Sequence, residues 1–229
     1  MNNAQRIREA DSLAGIETLV FDLDGTLVDS APGIGISLKV AFEAVGLVMP
    51  CGDLPSLVGP PINIIARRLE PSLTAEEVKA IEKEYRADYD KNGWHATVAF
   101  DGVVEGLLRL HRSGLRLFVV TNKPMMPTGK ILEHFGVNAA FEAVLTRDSR
   151  TPKYASKIEM LAELIKNHGI EAASSAMVGD TSEDQEAARH NGVRFVYVTY
   201  GYGSILETDL QIDKFQAIEE LLGQGDREQ

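Results

Sequence analysis

The stretch Asp22-Leu23-Asp24-Gly25-Thr26-Leu27-Val28-Asp29-Ser30 follows a short apolar run and places two carboxylates two residues apart where that run ends. At about 4 Å and an effective dielectric near 20, two such charges repel by roughly 4 kcal/mol. A cation is needed beside them. Mg²⁺ suits the residue types, because oxygen donors are plentiful and no histidine or cysteine stands nearby to favour zinc. A calcium loop of the EF-hand kind needs glycine at its sixth position and a carboxylate at its twelfth; Leu27 and Gly33 stand there, so that pattern fails. The competing reading makes Asp22 and Asp24 plain turn formers.

Other segments argue against it. Gly179-Asp180-Thr181-Ser182-Glu183-Asp184 sets another carboxylate after another buried run, with Asp184 one helical turn further on and on the same side as Asp180. Alone, such a junction is also an ordinary helix cap. Thr121-Asn122 offers hydroxyl and amide donors at a third run end, and Lys153 and Lys157 precede the 176–178 run by about a helix's length.

The elements that must position these groups follow from periodicity. Apolar runs at 18–21, 115–120, 176–178 and 195–199, with a weaker one at 141–145, are short enough for buried strands. Helix-period stretches at 103–111, 125–135, 157–168 and 183–191 separate them, the last closed by Asn191-Gly192. Continuous apolar strands alternating with helices indicate an α/β fold, a parallel sheet covered on both faces. Ligands of such sheets bind beyond the carboxyl ends of the strands, where the polar residues fall.

Close to a hundred residues separate the first two runs, far more than a crossover needs, so this interval holds an insert. Its content reads as helices over 34–45, 62–69 and 74–90, with Thr74, Glu76 and Glu77 forming a cap. Linkers are expected near 30–33 and 99–102. That gives a core of residues 1–30 and 100–229 and an inserted helical domain of residues 31–99.

The order Asp-x-Asp-Gly-Thr (22–26), Thr-Asn (121–122), a lysine, then Gly-Asp-x-x-x-Asp (179–184) resembles the four motifs of the haloacid dehalogenase superfamily of phosphotransferases. The resemblance spans residues 18–204 and is closest to the phosphoglycolate phosphatase and β-phosphoglucomutase-like branch. It implies a Rossmann-like parallel sheet core with an inserted α-helical cap. It also implies that Asp22 is the nucleophile that becomes an aspartyl-phosphate, and that Asp24 is the acid toward the leaving oxygen and then the base toward water. Thr121 and Asn122 would bind the phosphoryl group. Mg²⁺ would be held by Asp22, the Asp24 carbonyl and Asp180, with Asp184 behind them.

One motif departs from the family pattern, in which proline follows the lysine and a second proline comes two residues later. In Thr151-Pro152-Lys153-Tyr154-Ala155-Ser156-Lys157 the only proline stands in front. Lys157 is the preferred catalytic and phosphate-binding lysine, because Ser156 caps the helix and puts Lys157 in its first turn; Lys153 is the fallback. The reading is a Mg²⁺-dependent phosphatase acting on a small phosphorylated metabolite of the phosphoglycolate type. A sugar-phosphate mutase is the alternative. A binding protein that has lost catalysis would lack the nucleophile or a metal carboxylate, and all are present.

Composition narrows the partners. With 229 residues, 44% hydrophobic and 25% charged, the chain can bury a core. Lys plus Arg number 23 against 34 for Asp plus Glu, a net charge of −11, which argues against nucleic acid as a partner. A single cysteine, Cys51, rules out an internal disulfide and fits a reducing compartment. Residues 1–10 are polar and no apolar run reaches the roughly 18 residues of a membrane span, so a cytoplasmic protein without a membrane partner is expected. No sequence signal bears on oligomeric state.

Weaker features have two readings each. Lys123 is a phosphate ligand or a solvated loop lysine. Leu57-Val58-Gly59-Pro60-Pro61 is a stiffened substrate loop or a plain turn. Arg67 and Arg68 meet a substrate carboxylate or water. Tyr200-Gly201-Tyr202-Gly203 reads as a tight turn or as a segment with a role near the site, Trp94 and His95 as packed aromatics, and Gly33-Ile34-Gly35 as too short for a dinucleotide fingerprint.

Overall fold

The computed structural model describes residues 12–53, 58–205, 208 and 210–223. Residues 1–10 and Leu57, to which expectations were attached above, lie outside the described residues. The strands are β1 (Thr18–Phe21), β2 (Val28–Asp29), β3 (Val98–Ala99), β4 (Arg116–Thr121), β5 (Ala143–Thr146), β6 (Ser175–Gly179), β7 (Arg194–Val198) and β8 (Gln211–Ile212). The helices are α1 (Ala31–Ala44), α2 (Ile62–Leu69), α3 (Ala75–Tyr89), α4 (Val103–Arg112), α5 (Met125–His134), α6 (Lys157–His168), α7 (Ser182–His190) and α8 (Ala217–Leu221).

Six strands form one parallel sheet in the order β5-β4-β1-β6-β7-β8. Alternation sorts its side chains into two layers. Leu19, Phe21, Leu117, Val119, Ala176 and Val178 enter one apolar cluster, Val20, Phe118, Val120 and Met177 the other. The first layer is closed by Leu107 of α4, Ile131 of α5 and Ile218 of α8. Leu161 of α6 and Ala187 of α7 close the second. Each fully buried Leu or Phe contributes about 1.5–3 kcal/mol. The α/β reading with a Rossmann-like parallel sheet holds.

β1 lies between β4 and β6, with Phe21 in register with Val119 and Val178. The chain runs outward from β1 through β4 to β5 and then returns to β6 on the other side of β1, so a crevice opens at the carboxyl ends of β4, β1 and β6.

The insert leaves and rejoins this core as a ribbon. β2 and β3 are antiparallel, Val28 opposite Ala99 and Asp29 opposite Val98. Between them α1, α2 and α3 bury Leu38, Phe42, Ile65 and Ile81 in a cluster of their own. Trp94, in a short 3-10 turn after α3, packs on this cluster and on the core. Thr74 forms a capping box with Glu77, which fixes the start of α3. Gly33, expected at the linker near 30–33, lies inside α1, which begins at Ala31; Pro32 is tolerated in that first turn because its missing N–H has no helical partner to lose. Among the described residues no helix is long and apolar enough to cross a membrane.

Candidate active site

Asp22 opens the turn after β1, and its N–H donates to the Val178 carbonyl at 3.0 Å, carrying the sheet ladder one residue further. Leu23 is buried, and its carbonyl accepts the N–H groups of Thr26, Leu27 and Val28 at 3.3, 2.9 and 3.0 Å. Gly25 makes the turn with φ of +83°. Leu23 is thus anchored in the core, while the flanking Asp22 and Asp24 line a cavity of about 380 Å³.

Asp180 stands beyond β6. Its Oδ2 accepts the backbone N–H of Tyr202 at 2.8 Å and of Gly203 at 3.0 Å, and Oδ1 accepts the Thr26 hydroxyl at 3.3 Å. The segment that donates these bonds must approach closely: a Cβ on Gly201 would lie 2.3 Å from the Asp180 Cβ. Asp184 is engaged through both oxygens. Oδ1 accepts from Lys157 Nζ at 2.6 Å, and Oδ2 accepts the Thr181 N–H and hydroxyl at 3.0 and 2.6 Å as part of the cap of α7.

Lys157 is in the first turn of α6, capped by Ser156, whose hydroxyl accepts the Glu159 N–H at 3.3 Å. Nζ is 2.9 Å from Asp22 Oδ1 as well as 2.6 Å from Asp184. Burial lowers its proton affinity, but Asp184 and Asp22 outweigh that and hold the ammonium well above the ordinary lysine value. Lys153 lines the cavity from an exposed position.

Carboxylate oxygens of Asp22, Asp180 and Asp184 lie within 4.8 Å of one another, so three buried acids face one ammonium. Burial pushes the Asp22 carboxyl well up, with Asp184 and Asp180 adding to the effect against Lys157. Asp180 is raised for the same first reason and by Asp184. Asp22 Oδ1 is buried against Lys157 Nζ. Three buried acids against one ammonium leave surplus negative charge, and that surplus together with an oxygen-only donor set fits a hard divalent cation. The clustered side chains are those of Asp22, Asp180 and Asp184, while the Asp24 side chain meets Lys123.

A match to the family model for haloacid dehalogenase-like hydrolases covers residues 19–198. The chain belongs to the haloacid dehalogenase-like hydrolases. It is 38% identical over 188 residues to the tyrosine-protein kinase PtkA of Mycobacterium tuberculosis, covering 82% of this chain and 63% of that protein's length. It is 32% identical over 195 residues to a phosphoglycolate phosphatase of Vibrio parahaemolyticus, covering 82% of this chain and 85% of that one. The crystal structure of a predicted phosphoglycolate phosphatase from Haemophilus somnus superposes with a TM-score of 0.77 at 26% identity, covering 91% of this chain and 97% of that one.

In this haloacid dehalogenase-like hydrolase Thr121 is buried at the end of β4, and its hydroxyl accepts the Lys123 N–H at 3.2 Å. Asn122 donates its side-chain amide to Glu183 at 2.8 Å. Lys123 is not a solvated loop residue. Its side chain is 5% exposed, and Nζ lies 2.8 and 3.1 Å from the two Asp24 oxygens and 4.8 Å from the Tyr89 ring centroid of α3. Arg67 and Arg68 are exposed, and Arg67 donates to the Leu73 carbonyl; Arg86 of α3 and Arg147 line the cavity instead. From the segment read as a substrate loop, Val58, Gly59, Pro60 and Pro61 line it too.

Tyr202 lines the cavity, in line with the second reading of its segment as lying near the site. Beyond its backbone bond to Asp180, its hydroxyl accepts the N–H of Ser30 and Ala31 at 2.7 and 3.1 Å and donates to Asp29 at 2.6 Å. It joins the acidic cluster to the point where the chain enters the insert. Burial and Asp29 push this phenol far above its usual range.

Proposed function

We propose that this chain is a Mg²⁺-dependent phosphatase that hydrolyses a small phosphomonoester of the phosphoglycolate type through an aspartyl-phosphate on Asp22. Residues 1–30 and 100–229 form the catalytic core, and residues 31–99 act as a cap that closes over the site and excludes water. The observation that carries the reading is Asp22: a buried carboxylate at the end of the central strand, beside a lysine and two further acids. The similarity to a phosphoglycolate phosphatase supports the same substrate class.

Asp22 attacks the phosphorus, the bond from phosphorus to the leaving oxygen breaks, and Asp24 gives that oxygen a proton. Water then attacks the aspartyl-phosphate, Asp24 takes the water proton, the bond to Asp22 breaks and inorganic phosphate leaves. Thr121, Asn122 and Lys157 hold the phosphoryl oxygens. Asp22, Asp180 and the Asp24 carbonyl would hold Mg²⁺, which when bound offsets charge at the attacking carboxylate and the phosphoryl group. Asp184, whose two oxygens are taken by Lys157 and Thr181, orients the lysine.

The likeness to a tyrosine-protein kinase supports a second reading, in which a hydroxyl replaces water as the acceptor. A panel of phosphomonoesters assayed for free phosphate, with and without chelator, tests the first reading. Chelator-sensitive phosphate release supports it. Phosphoryl transfer to a sugar or tyrosine hydroxyl without phosphate release supports a transferase instead.

A further inference from the structure

Lys123 carries a charge into a place where burial is costly. An ammonium and a carboxylate taken out of water lose several kcal/mol of hydration each, regained only with good geometry. The geometry here is close: Nζ reaches both oxygens of Asp24 at 2.8 and 3.1 Å, and the Tyr89 ring lies 4.8 Å from the same nitrogen. The Lys123 N–H bond to Thr121 folds the loop back over the end of β4. Tyr89 belongs to α3, is 2% exposed and stacks on Tyr85 at 5.2 Å, so the far side of the contact is fixed within the insert. One side chain thus joins the core's second aspartate to a helix of the insert.

We infer that Lys123 is a positioning residue for Asp24, holding its carboxylate in place as the base toward water and tying that position to the insert through Tyr89. The inference rests on the proposed role of Asp24. Asp24 takes the water proton in the second half of the reaction, in which the aspartyl-phosphate is hydrolysed, so a side chain that fixes both Asp24 oxygens at 2.8 and 3.1 Å is read out in that half. Loss of the ammonium frees the Asp24 side chain, 15% exposed, to turn away from the water it must deprotonate.

The two halves separate with p-nitrophenyl phosphate, whose leaving group departs without needing a proton. Rapid mixing of the Mg²⁺-loaded full chain with this ester reads the first half as a burst of p-nitrophenolate and the second as the steady state. Lys123→Met is expected to lower the steady-state rate about 100-fold while the burst rate stays within about threefold, with phosphorylated protein accumulating by intact mass. Lys123→Arg is expected to recover most of the loss, and Lys123→Met is expected to add nothing in an Asp24→Asn background. Should the methionine variant not fold, Lys123→Gln carries the same test.

Equal loss in burst and steady state, or loss in neither, overturns the inference while leaving the phosphatase reading intact. A burst that persists in Asp22→Asn instead overturns the phosphatase reading itself.

Discussion

Among the described residues every buried charged side chain, namely Asp22, Lys123, Lys157, Asp180 and Asp184, lies at the carboxyl ends of the sheet strands or just beyond them. The helical insert buries Leu38, Phe42, Ile65, Ile81 and their neighbours, and its buried polar side chains, Ser37 and Thr97, are uncharged. A buried charge is costly unless it is paired, and a core of apolar side chains is the more stable solution. The insert adopts that solution and the strand ends do not. Stability is spent where chemistry is to be done, and the part of the molecule that covers the chemistry folds by ordinary packing.

Substitution can break this contrast. The largest effect is expected at Asp22. Asp22→Asn should lower turnover by about 10⁴-fold or more with far-UV circular dichroism unchanged; a variant retaining most of its activity would remove the nucleophile. Lys157→Met comes next. It leaves three acids without their ammonium and should cost about 3–5 kcal/mol in urea titrations with chelator present, part of which Mg²⁺ restores. A cost that Mg²⁺ does not change would show that the acids do not gather a cation.

The contrast made each region differently legible. β1, α2 and α6 have the bounds that period and caps indicate, because Thr18–Phe21 is an uninterrupted apolar run and Ser156 marks the start of α6. The two-residue strands β2, β3 and β8 carry too few positions for any period. At the site, acids that end strands show locally. Lys123 does not: its partner Asp24 is 99 residues away and Tyr89 sits in another element, so a lysine after a strand looks solvated. Tyr202 reads as part of a turn because the hydroxyl's partners at Ser30 and Ala31 are over 170 residues distant. Long-range partners of single polar side chains leave no periodic trace.

Smaller effects sharpen the picture. Tyr154, in the loop that leads into α6, donates its hydroxyl to Glu163 at 2.7 Å, and burial together with Glu163 pushes its phenol from 10.0 up to about 12. The unfolded chain loses this proton first. Stability is therefore fully present below pH 10 and falls as the pH rises to about 12, by about 1–2 kcal/mol. In denaturant melts across that window Tyr154→Phe should flatten the fall; an unchanged slope would assign it elsewhere. In the insert, Thr74→Ala removes the capping box of α3 and should cost about 1 kcal/mol with the chemical step unchanged. A large kinetic effect there would show that the insert does more than cover the site.

The central claim is the covalent bond to Asp22, and it can be trapped. Acid quenching during turnover, borohydride reduction and peptide mass spectrometry should convert the aspartate at position 22 to homoserine, in a substrate-dependent manner. Reduction at another carboxylate, or at none while phosphate is being released, would contradict the account.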